Sequence, residues 1–249
     1  MTQNKETKEY ENCANLHNDY SLRRLEIFTG IIGCKNEQRD FLEWMASEET
    51  ELICVYGRRR VGKTYFVYEL LNGYHAFDAS AQGKSSEIVR LRIFHAALRE
   101  YGDVSSSAPS DWWEAFDRLK TLLDRHECPL TPEGMRAVFI DELPWFDVPR
   151  SEFMTVFSDF WNRWCVRRKD VKLIICGSAT SWILREVLQR EGSLNRRVTH
   201  SLCLQPFSLR ECEEFLRNDK GSSGRDSRSS RRTWSLAERP IISGFFRQG

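Results

Sequence analysis

The eight residues Gly57–Thr64 restrict what this chain can fold into more than any other stretch, because they match the pattern G-x-x-x-x-G-K-[ST]. An apolar run of strand-forming residues, Leu52–Tyr56, leads directly into them, and Tyr65–Leu71 follows with the composition of a helix. A strand, a glycine-containing turn and the amino terminus of a helix, in this order, make a cradle for an anion. The stretch therefore predicts a phosphate-binding loop, the Walker A motif.

Each residue type in this loop has a physical task. Gly57 ends the strand where the backbone must turn, and Gly62 lets main-chain N–H groups approach phosphate oxygens without a Cβ in the way. Lys63 supplies a positive charge for the β- and γ-phosphates, and the Thr64 hydroxyl is a candidate ligand of Mg²⁺. The intervening residues complete the predicted nucleotide-binding set: Arg58, Arg59, Arg60 and Val61. Whether the three arginine side chains touch nucleotide or solvent is left open.

Composition argues against several other classes of protein. The 249 residues carry 37 basic and 36 acidic side chains, so a net charge of +1 gives no overall field that would favour nucleic acid or a membrane surface. The eight cysteines form no C-x-x-C pair and have no metal-ligand spacing to a histidine, which argues against a zinc site or a disulfide framework. No apolar stretch approaches the roughly 20 residues that cross a bilayer. We therefore expect a reduced, cytoplasmic protein without a membrane partner.

A second motif lies at Arg136–Glu142, where an apolar run ends in two acidic residues. This strand is expected to lie next to the first one and to deliver Asp141 at its carboxyl end, where it would hold Mg²⁺ through water (the Walker B motif). Glu142 is placed to orient and deprotonate the attacking water. The alternative is that the two acids cap a helix or a loop. The paired carboxylates favour hydrolysis of ATP over phosphoryl transfer to a small molecule.

Lys172–Thr180 is predicted to form a further buried strand that ends in small hydroxyl residues. Ser178 would there sense the state of the nucleotide, or it would cap the following helix, Ser181–Gln189; the residues alone leave both open. Beyond that helix, Arg196 is the first of a pair of arginines. Such a pair can stabilise charge that develops on the γ-phosphoryl group, although most Arg-Arg pairs are solvated.

The remaining apolar pattern predicts helices around these strands. A helix precedes the first strand, and Ile31 and Ile32 ahead of it either line an adenine pocket or belong to the core. Periodic apolar positions predict further helices over residues 85–101, 112–126 and 152–168. The last of these carries an aromatic stripe, which is more typical of a core than of a surface that stacks on bases.

Together these motifs resemble the prokaryotic AAA+ ATPases of the archaeal type, which are related to the STAND signalling ATPases. The resemblance covers about residues 27–217 and depends on Ile32-Gly33, Val55–Thr64, Phe139–Glu142, Ile174–Trp182, Asn195-Arg196 and Leu204–Cys212. It implies ATP and Mg²⁺ as cofactors and a three-layer α/β/α domain of the ASCE phosphate-loop type with a mostly parallel sheet. It also implies that Ser178 is the sensor and that Arg196 is an arginine finger acting across a subunit or domain boundary.

The resemblance divides the chain into a polar tail over residues 1–26, an ATPase domain over 27–205 and the start of a helical lid over 206–217. In the last of these, Ser208 and Glu211 have the spacing of a helix capping box. Residues 218–249 are rich in serine and arginine without periodicity, which is typical of a disordered tail. A basic serine-rich tail is also compatible with binding to nucleic acid.

We prefer the hypothesis that a frameshift near residue 218 scrambled the lid. Back-translated with permissible codons and read two bases later, residues 234–244 give Val-Leu-Gly-Gly-Thr-Pro-Tyr-Tyr-Leu-Gly, which resembles the family's lid motif. The chain would then be truncated after the ATPase core, and would either hydrolyse ATP or bind it with little turnover. A DNA or protein partner and a homo-oligomer are left open.

Overall fold

The computed structural model describes residues 31, 33–178, 180–188, 194 and 196–213. They fall into two compact units: residues 31, 33–47 and 207–213 belong to the first, and the other described residues belong to the second. The predicted tail over 1–26 and the predicted frameshifted region over 218–249 lie outside the described residues. Within the described ranges, no helix is long and apolar enough to cross a membrane.

The second unit is built on one parallel sheet of five strands. In chain order they are β1 (Glu51–Tyr56), β2 (Phe77–Ser80), β3 (Arg136–Asp141), β4 (Val171–Gly177) and β5 (His200–Cys203). Their spatial order is β2-β3-β4-β1-β5, and every neighbouring pair is parallel. Parallel strands need long crossover connections, which contain helices here, so the predicted α/β phosphate-loop fold is confirmed.

The position of β3 contradicts the prediction that the strand ending at Asp141 would lie beside the first strand. β4 is inserted between them and pairs with β1 on one side and with β3 on the other. The reason lies in burial: every residue of β4 is buried, whereas Arg136 at the start of β3 is partly exposed. A strand that is buried along its whole length is most stable where both of its edges and both of its faces are covered.

Helices precede, connect and follow the strands. The main ones are α1 (Lys35–Ala46), α2 (Lys63–Leu71), α3 (Glu87–Glu100), α4 (Trp112–Leu123) and α5 (Phe153–Asp159). The helix predicted over 152–168 is less regular than expected, because a π-helical segment, Phe160–Cys165, follows α5. The helix predicted over Ser181–Gln189 is likewise a short α-helical turn, Thr180–Trp182, followed by a π-helical segment, Ile183–Leu188.

One face of the sheet packs against α3, α4 and α5. Leu52, Val138 and Leu173, from three different strands, lie in a single buried cluster with side chains of these helices. Phe153 and Phe157, from the predicted aromatic stripe, are fully buried in the same cluster. The interpretation of that stripe as core is therefore confirmed.

The other face of the sheet contacts α2, the helix that follows the phosphate loop. The Tyr68 ring of α2 lies 5.5 Å from the Phe139 ring of β3, in an edge-to-face arrangement. Side chains alternate between the two faces along a strand, so Asp141 lies on the same face as Phe139. The fold therefore places the acidic end of β3 on the face that α2 covers.

The described part of the first unit joins two segments that are far apart in the chain. Helix α1 begins after Cys34, whose N–H donates to Oε1 of Glu211 at 2.7 Å. Oε2 of Glu211 accepts hydrogen bonds from the N–H and the hydroxyl of Ser208, both at 2.8 Å, so the predicted capping box is formed. Ile31 is buried and Ile32 lies outside the described residues, so the adenine pocket stays a prediction.

Gly57, directly after β1, occupies a conformation and a space that suit only glycine. Its φ is +149°, and a Cβ there would lie 2.4 Å from the carbonyl oxygen of Leu204, which follows β5. The Leu204 N–H donates to the carbonyl of Tyr56 at 2.8 Å. Because this bond holds the two backbone segments together, neither can withdraw from an added Cβ without cost.

We expect Gly57→Ala to lower the free energy of unfolding by about 2–4 kcal/mol, since it adds a backbone clash to the strain of a positive φ. Gly73→Ala is the matched control, because Gly73 also has a positive φ, +83°, but nothing lies within 4 Å of where its Cβ would be. The control should cost only about 1 kcal/mol, from strain alone. Urea unfolding of both variants measures the difference, and an equal loss in both would contradict the clash.

Candidate nucleotide-binding site

The loop between β1 and α2 has the geometry that its sequence predicts. Gly62 is the N-cap of α2 with φ +86°, and the Phe66 N–H closes the first helical turn onto the Gly62 carbonyl at 2.8 Å. Lys63 is 5 % exposed, and its ammonium group donates to the carbonyls of Arg58 at 2.9 Å and Gly57 at 3.3 Å. The positive charge therefore lies inside the loop, where an anion held by the same loop would meet it.

The other predicted loop residues face outward to a greater degree. The side chains of Arg58, Arg59 and Arg60 are exposed, and Val61 is partly exposed. Arg60 has φ +66°, which is uncommon for a residue other than glycine and is found most often where function constrains the backbone. Contact between these arginines and nucleotide stays a prediction.

Asp141 ends β3 and is only 4 % exposed. Its Oδ2 accepts a hydrogen bond from the Thr64 hydroxyl at 2.9 Å, and the Ser80 hydroxyl donates to the same oxygen at 3.4 Å. Its Oδ1 accepts the N–H of Glu142 at 2.9 Å. The two residues predicted to bind Mg²⁺, Thr64 and Asp141, are thus in direct contact.

The electrostatics around Asp141 suit a divalent cation. Burial raises the pKa of Asp141 and the nearby charge of Glu142 acts in the same direction, while hydrogen bonds from Thr64 and Cys176 oppose them. A carboxylate whose charge is penalised by burial is stabilised by a neighbouring cation. Carboxylate and hydroxyl oxygens are also the hard ligands that Mg²⁺ prefers. The residues present therefore fit Mg²⁺.

Glu142 is held in an unusual conformation directly after β3. Its φ of 50° lies in the left-handed region, and its Oε2 accepts the hydroxyl of Ser178 at 2.9 Å and the N–H of Ser178 at 3.3 Å. Ser178 follows β4, so the insertion of β4 beside β3 is what brings it to Glu142. The Ser178 hydroxyl is thus bonded to a carboxylate of the site, and its role as sensor or helix cap stays a prediction.

Arg196 lies near a different edge of the sheet. It is exposed, and three residues later the Thr199 N–H donates to the Leu52 carbonyl at 3.0 Å, so the chain enters β5 beside the amino end of β1. The phosphate loop begins at the other end of β1, about 16 Å away at the rise of a β-strand. Among the residues that the structure describes, no hydrogen bond or ion pair joins Arg196 to the other predicted site residues.

Two residues at the site were not predicted from the sequence, Ser80 and Cys176. Both lie at the carboxyl edge of the sheet, Ser80 as the last residue of β2 and Cys176 near the end of β4. Burial raises the pKa of Cys176 well above its usual range and Asp141 adds to this, so its sulfur stays protonated. The signal that could have found both is topological, because the last polar side chains of parallel strands meet at one edge.

The loop, the parallel sheet and the inserted β4 together define the second unit as a phosphate-loop NTPase fold of the ASCE type. The Walker-type ATPase PABY2304 of Pyrococcus abyssi is similar, with a TM-score of 0.54 at 18 % identity over 76 % of this chain and 57 % of that chain. This likeness shows a shared fold, and membership of the AAA+ ATPases stays a prediction. The ORC2 protein of Aeropyrum pernix, in ADPNP and ADP complexes, matches with a TM-score of 0.49 at 16 % identity, over 78 % of this chain and 54 % of that one.

Comparison of sequences adds one distant relative. An uncharacterized protein of Methanocaldococcus jannaschii, MJECL04, is 25 % identical over 183 residues, which are 73 % of this chain and 37 % of that protein. No protein-family model matches the chain. The chain therefore spans little more than a third of the length of this relative.

The raised pKa of Asp141 has a consequence for stability. Because its pKa is higher in the folded than in the unfolded protein, stability falls as pH rises through the interval between the two values. We expect Asp141→Asn, which removes the charge, to raise the midpoint of thermal unfolding at neutral pH by about 2–4 °C in the absence of nucleotide. The gain should vanish at about pH 3, where the carboxyl group is protonated in both states.

Asp78→Asn on the neighbouring strand β2 is the control for this substitution. Asp78 accepts hydrogen bonds from the hydroxyls of Tyr68 and Tyr101, so its carboxylate is held by donors on two other elements. The same change there should lower the midpoint, since the amide is a weaker acceptor for both. Thermal scans in EDTA at several pH values measure both variants, and a lower midpoint for Asp141→Asn at pH 7 would refute the prediction.

Proposed function

We propose that this chain binds Mg·ATP at the loop Gly57–Thr64 and hydrolyses it with Glu142 as the general base. The observation that carries the proposal is the position of Glu142, whose carboxylate is bonded to Ser178 next to the Thr64–Asp141 pair. A protein that only holds nucleotide needs the loop and a metal-binding carboxylate. Activation of water needs a second carboxylate beside them.

Binding in this proposal depends on exchange of hydrogen bonds within the loop. The main-chain N–H groups and the amino end of α2 would hold the phosphates. The Lys63 ammonium, now bonded to the carbonyls of Gly57 and Arg58, would turn to oxygens of the β- and γ-phosphates. Thr64 and Asp141 are the residues that would hold Mg²⁺, whose charge would offset that of the phosphates.

Hydrolysis in this proposal depends on the direction of the Glu142 carboxylate. A general base must reach the water that attacks the γ-phosphate, so its carboxylate cannot rotate freely. Two donors of Ser178 restrict it here, at 2.9 Å and 3.3 Å. The γ-phosphate would compete with Glu142 for the Ser178 hydroxyl, and this competition is how Ser178 would sense the nucleotide.

A second candidate function is supported by the same contact. If Glu142 keeps its left-handed backbone and both bonds to Ser178 when ATP is bound, its carboxylate is not available to a water molecule. The chain would then bind ATP with little turnover and act as a nucleotide-dependent binding module. Measurement of turnover separates the two functions.

Glu142→Gln provides that measurement. Glutamine can still bond to Ser178 but cannot take up a proton, so we expect phosphate release to fall about 100-fold or more while binding of a fluorescent ATP analogue is retained. Glu127→Gln, at an exposed glutamate, is the matched control and should change neither. Lys63→Ala gives the background for both assays. Equal phosphate release from wild type and Glu142→Gln would favour the binding module.

We further propose that Arg196 acts on nucleotide bound by a second copy of the chain. The position of Arg196 supports this proposal, because the chain around it enters the sheet at the end of β1 that is opposite the phosphate loop. To reach nucleotide bound by the same copy, the Arg196 side chain would have to span the length of β1. Across an interface, an exposed guanidinium can stabilise charge on the γ-phosphoryl group. The proposal requires a homo-oligomer while ATP is bound.

We expect Arg196→Ala to lower turnover about tenfold or more without loss of ATP binding, and Arg197→Ala, at the adjacent exposed arginine, to have little effect. Mixing Arg196→Ala with Lys63→Ala should restore part of the turnover, because the second variant supplies Arg196 to the intact sites of the first. Steady-state phosphate release at several mixing ratios measures this. If mixed oligomers form without recovery of turnover, or if Arg197→Ala lowers turnover as much as Arg196→Ala does, the proposed role of Arg196 is contradicted.

A further inference from the structure

Cys176 lies against the predicted metal-binding carboxylate, in the interior of the sheet. It is fully buried near the end of β4, the strand that lies next to the one ending at Asp141. In the register of β3 and β4, Ile140 lies opposite Ile175, and the residues that follow them on the two strands are Asp141 and Cys176. Residues paired in this way point to the same face. Both side chains therefore lie on the face that α2 covers.

The other donors to the Asp141 side chain differ in what metal binding would do to them. The Thr64 hydroxyl, at 2.9 Å, is itself a predicted ligand of Mg²⁺, so its bond to the carboxylate would be given up. The Ser80 hydroxyl is 3.4 Å away, near the limit of a hydrogen bond. The Glu142 N–H, at 2.9 Å, and the Cys176 thiol touch Asp141 without being expected to bind the metal.

We propose that Cys176 is a positioning residue for Mg²⁺, whose thiol holds the Asp141 carboxylate in place when Thr64 turns to the metal. The inference depends on the proposed binding of Mg·ATP and deepens it, because it assigns part of the metal affinity to a side chain that touches neither metal nor nucleotide. Groups that orient metal-binding side chains typically change metal affinity about 10- to 100-fold when removed. A thiol is a weak donor, so its removal should cost about three- to tenfold.

The test compares alanine and serine at Cys176 with the same substitutions at Cys54. Cys54 is equally buried, in the middle of β1, but lies in the apolar cluster on the opposite face of the sheet. Substitution at either position removes a buried thiol and should cost stability. Of the two cysteines, Cys176 is the one that lies beside Asp141. The readouts are the free Mg²⁺ concentration for half-maximal binding of a fluorescent ATP analogue, its binding in EDTA, and the midpoint of thermal unfolding.

We expect Cys176→Ala to raise the half-maximal Mg²⁺ concentration about three- to tenfold, with binding in EDTA unchanged. Cys176→Ser keeps a donor and should stay within about twofold of wild type. The Cys54 variants should change the unfolding midpoint alone. Unchanged Mg²⁺ dependence in Cys176→Ala overturns the inference.

If Cys176→Ala does not fold, the inference is tested by comparing the Mg²⁺ dependence of Cys176→Ser with that of Cys54→Ser. A Cys176→Ser protein that needs clearly more Mg²⁺ than Cys54→Ser, despite its stronger hydroxyl donor, would overturn the inference. Equal Mg²⁺ dependence of the two would support it. Failure of the proposed function is distinguished from failure of this inference by the wild type: without Mg²⁺-dependent nucleotide binding in the wild type, it is the proposed function that fails.

Discussion

The Asp141 residue is only 4 % exposed, and hydrogen-bond donors from the surrounding elements offset part of the cost of burying its carboxylate. An isolated buried carboxylate would take up a proton, so hydrogen-bond donors have to converge on it. They come from four separate places in the chain: Thr64 on α2, Ser80 on β2, Cys176 on β4 and the backbone of Glu142. The phosphate loop, the strand order and the α2 helix must therefore all form correctly before the site exists.

The insertion of β4 is the step that makes this convergence possible. With β4 between β1 and β3, the carboxyl ends of three buried strands meet at one edge, and the residues at the end of β4 lie between the phosphate loop and the acidic pair. Cys176 then adjoins Asp141 and Ser178 bonds to Glu142. If β1 and β3 were direct neighbours, neither contact would form. The strand order thus contributes two of the polar partners of the site.

The residues that could be predicted from the sequence are those whose chemistry is encoded locally. The loop Gly57–Thr64 and the pair Asp141–Glu142 each stand beside an apolar run, so composition and position agree over a few residues. Strand order depends on pairing between distant segments, which local sequence patterns do not encode. The sequence therefore does not distinguish Ser80 and Cys176 from other residues near the end of a strand. Lys172 likewise resembles the polar start of a strand. It is fully buried because its ammonium donates to the Glu49 carbonyl at 2.6 Å.

The polar groups of the site are satisfied by internal partners that the proposed chemistry would take away. Lys63 bonds to carbonyls of the loop, Thr64 to Asp141 and Glu142 to Ser178. These bonds lower the cost of burying the groups, and a bound nucleotide would have to replace them, so its net gain in free energy would be smaller than its contacts suggest. Asp141 is the partner left behind when Thr64 turns away. Donors on β2 and β4 that stay with Asp141 would then offset part of the cost of its buried charge while the loop exchanges partners.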